Sequence, residues 1–320
     1  MISIIIVNWN GKKWLKKCLH SLYLQTYKDF EIIFVDNASK DDSVEFVEKH
    51  YPKVVIVKSD KNLGFARGNN LGVKKARGQY LLFLNNDVWV ENNFLEKLFV
   101  FYKENNFDVV GPLEADYYTK KKRQPYNSLI DPFGWHVYTT NNRKYKESFY
   151  LTGVAIFVSK SLYIKSGGFD NDFFMYLEEV DWFWRLHLMK KQCGYDYNSF
   201  VYHAGSGSSG LGLKYNTFLW RNQNTLQMLL KNYLWYNLAW VLPIYMVQNI
   251  FEMMAFFIFL KPKIAWSYIE GGWFNIKYLP RTLEKRKKIQ KGRLVGDDYI
   301  LKRMYKGFGK FYYLIRFISS

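Results

Sequence analysis

The sequence predicts an α/β protein: a mainly parallel sheet with helices on both faces, followed by a helical C-terminal region. Three observations carry this. Over the first 84 residues, short runs rich in Ile, Val, Leu and Phe alternate with stretches whose apolar residues recur at helical spacing, the pattern of parallel strands joined by crossover helices. Polar residues cluster directly after the strand-like runs, where sheets of this class bind ligands. Beyond about residue 215 the chain turns to long apolar and basic segments. The expected organisation is a catalytic-type domain over residues 1–215 and a helical, basic region over residues 216–320.

Ile2 to Asn8 reads as a buried strand; the apolar run within it is short and lacks a preceding basic segment, so it is not expected to be a signal peptide. Trp14 to Leu24 has helical spacing through Leu15, Leu19 and Leu22. Phe30 to Asp36 is a second strand, and Ser39, Asp41 and Asp42 make a helix start. Val54 to Lys58, a helix from about Phe65 to Ala76, and a strand from Tyr80 to Leu84 continue the alternation. The segment Asn62 to Gly72 is a Gly-rich entry to a helix, where backbone N–H groups and Arg67 can face an anion. It lacks the Gly-x-Gly-x-x-Gly spacing of a dinucleotide site. Residues 114–149, rich in Lys, Arg, Tyr and Asn with little periodicity, read as a mobile insert, and Thr152 to Val158 as a strand.

Three polar clusters follow strands: Asn8, Trp9 and Asn10; Asp36 and Asn37; Asn85, Asn86 and Asp87. Each alone is an ordinary polar turn, but at equivalent strand ends the three converge on one crevice. The chemistry is expected further on. Glu178, Glu179 and Asp181 fall within four positions, after the aromatic run at Phe173 and Phe174 and at the start of a largely buried helix reaching about Lys190. A helix N-terminus favours the ionised carboxylate. Asp181 and Arg185 are spaced to pair, which leaves a neighbouring glutamate to accept a proton.

The formal net charge is +18, and it is unevenly placed: the last 90 residues hold 16 Lys and Arg against 5 Asp and Glu. Leu234 to Leu260 contains one charge, Glu252, over a length sufficient to cross a bilayer. Pro243 should break or kink such a span, and Asn237, Gln248, Asn249 and Glu252 can share a helical stripe. An in-plane amphipathic helix, or a hairpin dipping into one leaflet, is the expectation. Lys261, Lys263, Arg281, Lys285 to Lys288, Lys291 and Arg293 supply a basic run for anionic lipid. A nucleic-acid-binding protein would share this charge, but the basic residues lie beside an apolar segment without a nucleic-acid-binding signature. Two cysteines, Cys18 and Cys193, give no disulfide framework and point to a reducing compartment.

Val7-Asn8-Trp9-Asn10-Gly11, Val35-Asp36-Asn37-Ala38-Ser39, Asn62-Leu63-Gly64-Phe65-Ala66, Leu84-Asn85-Asn86-Asp87 and Phe174-Met175-Tyr176-Leu177-Glu178-Glu179-Val180-Asp181 occur in an order that resembles the family 2 glycosyltransferases. The likeness covers roughly residues 1–210 and is greatest to the rhamnosyltransferase-like branch. It implies a GT-A fold and inverting transfer from a nucleotide diphosphate sugar, dTDP- or UDP-linked and with dTDP-rhamnose among the donors. The acceptor it implies is a saccharide or polyprenyl-linked glycan at the cytoplasmic face of the membrane, with the protein held there peripherally or monotopically.

By the same resemblance, Asn8, Asn10, Asp36, Asn37, Gly64, Phe65, Ala66, Asn69 and Asn86 surround the nucleotide, Asp36 recognising a pyrimidine. Asp87 stands at the last position of an Asp-x-Asp-type metal motif whose first acid is replaced by Asn85. His203 completes the site for Mg2+ or Mn2+. Glu179 matches the catalytic base, with Glu178 and Asp181 beside it, and Thr152, Gly153, Tyr176, Trp182 and Arg185 lie on the acceptor side. Donors in the loop from Gly205 to Gly210 are expected to face the diphosphate. The rivals are a nucleotidyltransferase or epimerase, for which the phosphate-loop and dinucleotide fingerprints are missing, and a catalytically silent relative suggested by Asn85.

Overall fold

The computed structural model describes residues 1–140, 147–205 and 214–310. The chain divides into two compact units: Met1–Asn127, Thr140–Trp182 and Gln192–Gly210 in the first, and Ser128–Thr139, Phe183–Lys191 and Leu211–Ser320 in the second. A single cut at residue 215 therefore separates two short segments from the C-terminal unit to which they pack.

The first unit begins with the alternation expected: β1 (Ile2–Asn8), α1 (Lys12–Tyr23), β2 (Phe30–Asp36), α2 (Ser43–His50), β3 (Val55–Lys58), α3 (Gly64–Lys75) and β4 (Tyr80–Leu84). The chain continues through β5 (Val88–Val90), α4 (Phe94–Glu104), β6 (Val109–Asp116), β7 (Tyr126–Ile130), β8 (His136–Thr140) and β9 (Glu147–Ser148), with residues 128–139 of β7 and β8 counted in the second unit. Then follow β10 (Ala155–Ser159), α5 (Lys160–Lys165), α6 (Glu178–Leu188), which belongs to the second unit from Phe183 on, and β11 (Cys193–His203). The sheet runs β3-β2-β1-β4-β10-β6-β11-β5, with β9 on β11. Strands β3, β2, β1 and β4 are parallel, while β10 lies antiparallel between β4 and β6.

This is a mixed, mostly parallel sheet with a GT-A fold. Its parallel half is continuous apolar sequence because both faces are covered: Ile2, Ile4, Ile5 and Ile6 are all fully buried. One core packs Leu15, Leu19 and Leu22 of α1 and Phe94 and Leu98 of α4 against Ile4, Ile6, Phe34 and Phe157 of the sheet.

Two expectations are corrected here. Thr152 and Gly153 precede β10 instead of lying within a strand. Residues 114–149, expected to be a mobile insert of little periodicity, carry regular structure, since they contain β7, β8 and β9, and β7 pairs with β8; residues 141–146 lie outside the described residues. Alternation in β7 is legible afterwards, with Tyr126, Ser128 and Ile130 buried, but it is masked by the charged residues from Lys120 to Arg123.

The second unit holds α7 (Tyr215–Asn232), α8 (Trp235–Ile258), α9 (Pro262–Lys277), α10 (Leu279–Lys291) and α11 (Asp297–Leu301). Pro243 does not interrupt α8, which runs for 24 residues. The start of α8 is fixed by Asp297, whose Oδ2 accepts from Leu234 N–H at 2.8 Å and Asn237 Nδ2 at 2.7 Å. Asp297 also pairs with Arg293. Arg286 is corrected from a lipid-facing cation to a structural one. It is 5% exposed, donates to the carbonyls of Leu230 and Tyr233, and stacks on Trp235 at 3.8 Å.

Candidate active site

Parallel pairing of β1 and β2 puts Asn8 opposite Asp36 at the carboxyl edge of the sheet. The chain turns sharply there, with Asn10 at φ 51° and Ala38 at φ 59°. A run of side-chain hydrogen bonds sets the wall of the crevice. Asn86 Nδ2 donates to Asn8 Oδ1 at 2.7 Å, and Asn8 Nδ2 donates to Ser39 Oγ at 3.1 Å. Asn10 Oδ1 accepts from Lys40 N–H, and Asp36 Oδ2 from Ser39 N–H. Asn8 is fully buried with both amide ends used, so it is scaffold and not a nucleotide contact. Among the described residues, Asp36 Oδ1 and Asn37 Oδ1 are buried acceptors without a hydrogen-bond partner. A buried orphan acceptor costs about 1–3 kcal/mol, and a ligand N–H or O–H would satisfy it.

The entry to α3 forms the adjacent side. Asn37 Nδ2 donates to Gly64 O at 3.0 Å, and Phe65 N–H donates to Phe174 O at 2.8 Å. Gly64 has φ +73°, and a Cβ there would sit 2.1 Å from Phe174 O, so only glycine fits. This contact ties the Gly-rich turn to the segment that leads into the acids. Ala66 and Asn69 are buried, and Asn69 Nδ2 is spent on Phe65 O within the helix. Arg67 is not directed at an anion: its Nε donates to Asn171 O, and its guanidinium lies 4.0 Å from Asp172.

Glu178 and Glu179 open α6, immediately after two residues in the left-handed region, Tyr176 (φ 71°) and Leu177 (φ 68°). The two acids differ in surroundings. Glu178 is buried, with Oε2 lacking a partner. Burial, and then the charge of Glu179, push its pKa well above the carboxylate range. Glu179 is only partly buried, and its Cδ lies 3.9 Å from the position a Cβ would take on Gly153, beside the Phe65 ring. Gly153, Phe65 and Glu179 are thus brought together.

Three of the other expected acceptor-side or acid residues are corrected. Trp182 is fully buried, donates Nε1–H to Ser166 Oγ at 2.7 Å, and packs edge-on against Tyr163 and Phe169. Arg185 and Asp181 are also buried, at 7% and 0% exposure, so neither reaches an acceptor. Tyr176 and Thr152 remain partly exposed.

Asp87 and His203 meet through the antiparallel pairing of β5 with β11. His203 Nε2 is 3.3 Å from Asp87 Oδ1, and Nδ1 is 3.3 Å from Glu114 Oε2. Burial opposes charge on the imidazole, but hydrogen bonds to Asp87 and Glu114 prevail and raise its pKa to about 9. Glu114 is itself held by Arg123 at 3.2 Å, Tyr126 Oη at 3.2 Å, and the Thr152 side chain.

Among the described residues no group of three or more His, Cys, Asp or Glu is placed to hold a metal. The pair nevertheless fits a divalent ion completed by substrate oxygens. Adjacent ligands on an octahedral ion with bonds of about 2.1 Å stand about 3 Å apart. A histidine ligand is also commonly oriented by a carboxylate on its other nitrogen, the place of Glu114. Glu114 went unnoticed in the sequence because the pairing of β6 with β11 that carries it to His203 joins segments nearly 90 residues apart and leaves no local trace. The expected diphosphate donors at residues 206–210 lie outside the described residues.

The fold and the crevice define a GT-A protein with one carboxylate-rich edge. Residues 3–165 match the profile of glycosyl transferase family 2, and this chain belongs to that family. A cholesterol galactosyltransferase of Borreliella burgdorferi is 35% identical over 111 residues, 34% of this chain and 31% of that protein. A poly(ribitol-phosphate) beta-glucosyltransferase of Bacillus spizizenii is 35% identical over 121 residues, 36% of this chain and 19% of that one. The matched regions thus span a third or less of these relatives. Among solved structures, GalNAc-T7 with UDP, GalNAc and Mn2+ is similar at TM-score 0.61 and 17% identity, covering 71% of this chain and 47% of that one. TarS 1-349 of S. aureus with UDP-GlcNAc is similar at 0.51 and 18%, covering 72% and 65%.

Proposed function

We propose that this protein is an inverting glycosyltransferase that moves a sugar from a pyrimidine nucleoside diphosphate, UDP- or dTDP-linked, to a hydroxyl of a saccharide acceptor carried on a membrane lipid. The observation that carries the reading is the unequal pair of acids. Burial and then its neighbour push the pKa of Glu178 well up, while the partly exposed Glu179 is the acid that faces Gly153. Two neighbouring carboxyl groups in such unequal surroundings are the arrangement in which acid–base roles separate.

Glu179 takes the proton from the acceptor hydroxyl as its oxygen attacks the anomeric carbon. The bond from that carbon to the diphosphate breaks, the nucleoside diphosphate leaves as an anion without protonation, and configuration inverts. Asp36 Oδ1 and Asn37 Oδ1 accept from the base and ribose of the donor. Asp87 and His203 would hold Mg2+ or Mn2+, which when bound supplies positive charge to the departing diphosphate. Glu114 keeps the His203 ring in place.

The C-terminal unit serves membrane attachment in this reading. Helix α8 is 24 residues long, and its most apolar 18-residue stretch has mean hydropathy 1.6 with only 11% of it buried. Met246, Val247, Ile250, Phe251, Met254 and Ile258 are exposed on it, as are Trp266, Ile269, Trp273 and Ile276 on α9. The polar residues of α8 lie on the opposite stripe, which favours a helix lying in one leaflet over one crossing the bilayer. The site proposed is the cytoplasmic face, with Lys287, Lys288 and Lys291 of α10 on anionic headgroups.

Calorimetric titration with UDP, dTDP and GDP, each with Mn2+ and again with EDTA, tests the donor crevice. Binding of one pyrimidine diphosphate is expected, weakened at least tenfold in Asp36→Asn and in EDTA. Glu179→Gln should bind that nucleotide normally and lose release of nucleoside diphosphate from the sugar donor by a factor of 100 or more, about 3 kcal/mol of barrier. Unimpaired turnover in Glu179→Gln would overturn the assignment of the base.

A further inference from the structure

The C-terminal unit contains a cavity of about 230 Å3 formed by the 133–135 turn, α7, α8, α9 and Lys310. It is smaller than the roughly 300–1,000 Å3 of most small-molecule sites, and it suits a compact polar group. Its lining carries two cations, Arg221 and Lys310, and one carboxylate, Glu252. The carboxylate is engaged, because Glu252 Oε2 accepts from Tyr268 Oη at 3.0 Å and pairs with Lys310 Nζ at 2.6 Å. The buried side-chain atoms on the lining that lack a partner are both donors: Trp135 Nε1 and Asn222 Nδ2. Arg221 lies 4.6 Å and Lys310 5.1 Å from the centre of the Trp135 ring, so both cations bracket the first of these donors. An orphan indole N–H bracketed by two cations, with a second orphan N–H on the same lining, suits an anion with several acceptor oxygens.

The helix that forms one wall indicates where such an anion comes from. Tyr245, Gln248, Asn249 and Glu252 of α8 line the cavity, spaced i, i+3, i+4 and i+7 on one stripe. Met246, Val247, Ile250, Phe251 and Met254, on the remaining surface of the same helix, are exposed. One helix thus presents a polar stripe to the cavity and an apolar surface outward. A phosphate borne on a long apolar chain matches both at once.

We infer that this cavity binds the phosphate of a polyprenyl-type lipid, the carrier on which the acceptor saccharide is built. Arg221, Lys310, Asn222 and Trp135 hold the phosphate oxygens, and the chain lies along the apolar surface of α8. The inference rests on the membrane-linked acceptor of the proposed function, and its test reads binding and not sugar transfer, so either can fail without the other.

The full chain is floated with phosphatidylcholine vesicles, plain or containing 5% polyprenyl monophosphate, or phosphatidylglycerol at equal charge. Polyprenyl phosphate should raise binding at least tenfold over phosphatidylglycerol. Arg221→Gln and Lys310→Gln should each lose most of that increment while keeping phosphatidylglycerol binding and the thermal transition of the wild type. Glu252→Gln removes a negative charge from the cavity and frees Lys310, so it should strengthen polyprenyl phosphate binding severalfold, whereas a merely structural Glu252 would give weaker binding or none. Inorganic pyrophosphate at millimolar concentration should compete away the increment. Equal binding to the two anionic lipids, or an increment retained in both cation variants, would overturn the inference. Tight binding of inorganic phosphate with no gain from the lipid would overturn the lipid source.

Discussion

Replacing Gly64 by Ala probes the joint between the nucleotide-side turn and the acids. Two costs can be read from the geometry. The left-handed φ of +73° penalises any L side chain by about 1 kcal/mol. The new Cβ would also stand 2.1 Å from the Phe174 carbonyl oxygen, which belongs to the backbone and cannot rotate aside. The Phe174 segment must move, breaking the 2.8 Å hydrogen bond from Phe65 N–H and adding about 1–3 kcal/mol for the unpaired donor. The expected loss is about 2–4 kcal/mol in urea unfolding. Gly205→Ala is the control: its φ is +66°, but nothing among the described residues lies within 4 Å of the position of its Cβ, so it pays the conformational cost of about 1 kcal/mol without that clash. In the folded fraction, Gly64→Ala should also lose sugar transfer, because the displaced segment leads directly to Glu178 and Glu179. Equal destabilisation of the two variants would refute the clash, and full transfer by Gly64→Ala would refute the coupling.

The other perturbations test separate parts of the argument. Glu178 has a raised folded-state pKa, so its contribution to stability is complete below its ordinary value near 4.5 and is lost as pH rises towards the folded value. Glu178→Gln should therefore gain stability relative to the wild type as pH climbs from 4.5 to 8, and a pH-independent difference in urea midpoints would contradict the burial argument. Trp182→Phe removes the bond to Ser166 and part of a packed indole, so it should cost about 2–3 kcal/mol of stability with acceptor KM unchanged. A raised KM without lost stability would return Trp182 to the acceptor site. Lys287, Lys288 and Lys291 together changed to Gln should weaken flotation with phosphatidylglycerol vesicles by about 3 kcal/mol, near 100-fold, and leave binding to neutral vesicles alone. Unchanged flotation would remove the electrostatic part of the attachment.

What the sequence disclosed and what it hid follow from how local the determining interactions are. Strands β1, β2 and β4 are legible to the residue because both faces of each are covered, and unbroken apolar runs follow from that. The crevice was legible as polar residues after strands, but which of their atoms remain unsatisfied was not. Asn8 spends its amide on Asn86 and Ser39, while Asp36 and Asn37 each keep one oxygen unpaired among the described residues. Trp182 and Arg185 looked available because they stand next to the acids in sequence, yet the turn of the helix sends their side chains inward. The antiparallel insertion of β10 and the Glu114–His203 contact depend on strand order, which periodicity does not encode. Pro243 was compatible with a break or a kink, and of these the break is absent, since α8 continues through it.

Tyr176 and Leu177 provide a last test of how the acids are held. Two successive non-glycine residues in the left-handed region cost about 1–2 kcal/mol each, and the neighbouring bonds must sustain them. On one side Phe174 O is fixed by Phe65 N–H; on the other, buried Leu177 supplies the carbonyl for Asp181 N–H at 2.8 Å, which starts α6. Tyr176→Gly removes the steric cost but adds about 0.5–1 kcal/mol of chain entropy to the unfolded state, so stability should change by less than about 1 kcal/mol. Glycine also releases the turn that aims Glu179, and turnover should fall while nucleotide binding is kept. Tyr176→Asn tolerates the same φ and keeps a Cβ, so it should retain most of the turnover. If both variants lose activity alike, the phenol ring itself contacts the acceptor and the backbone is not the cause; if neither does, the strained turn plays no part in presenting the base.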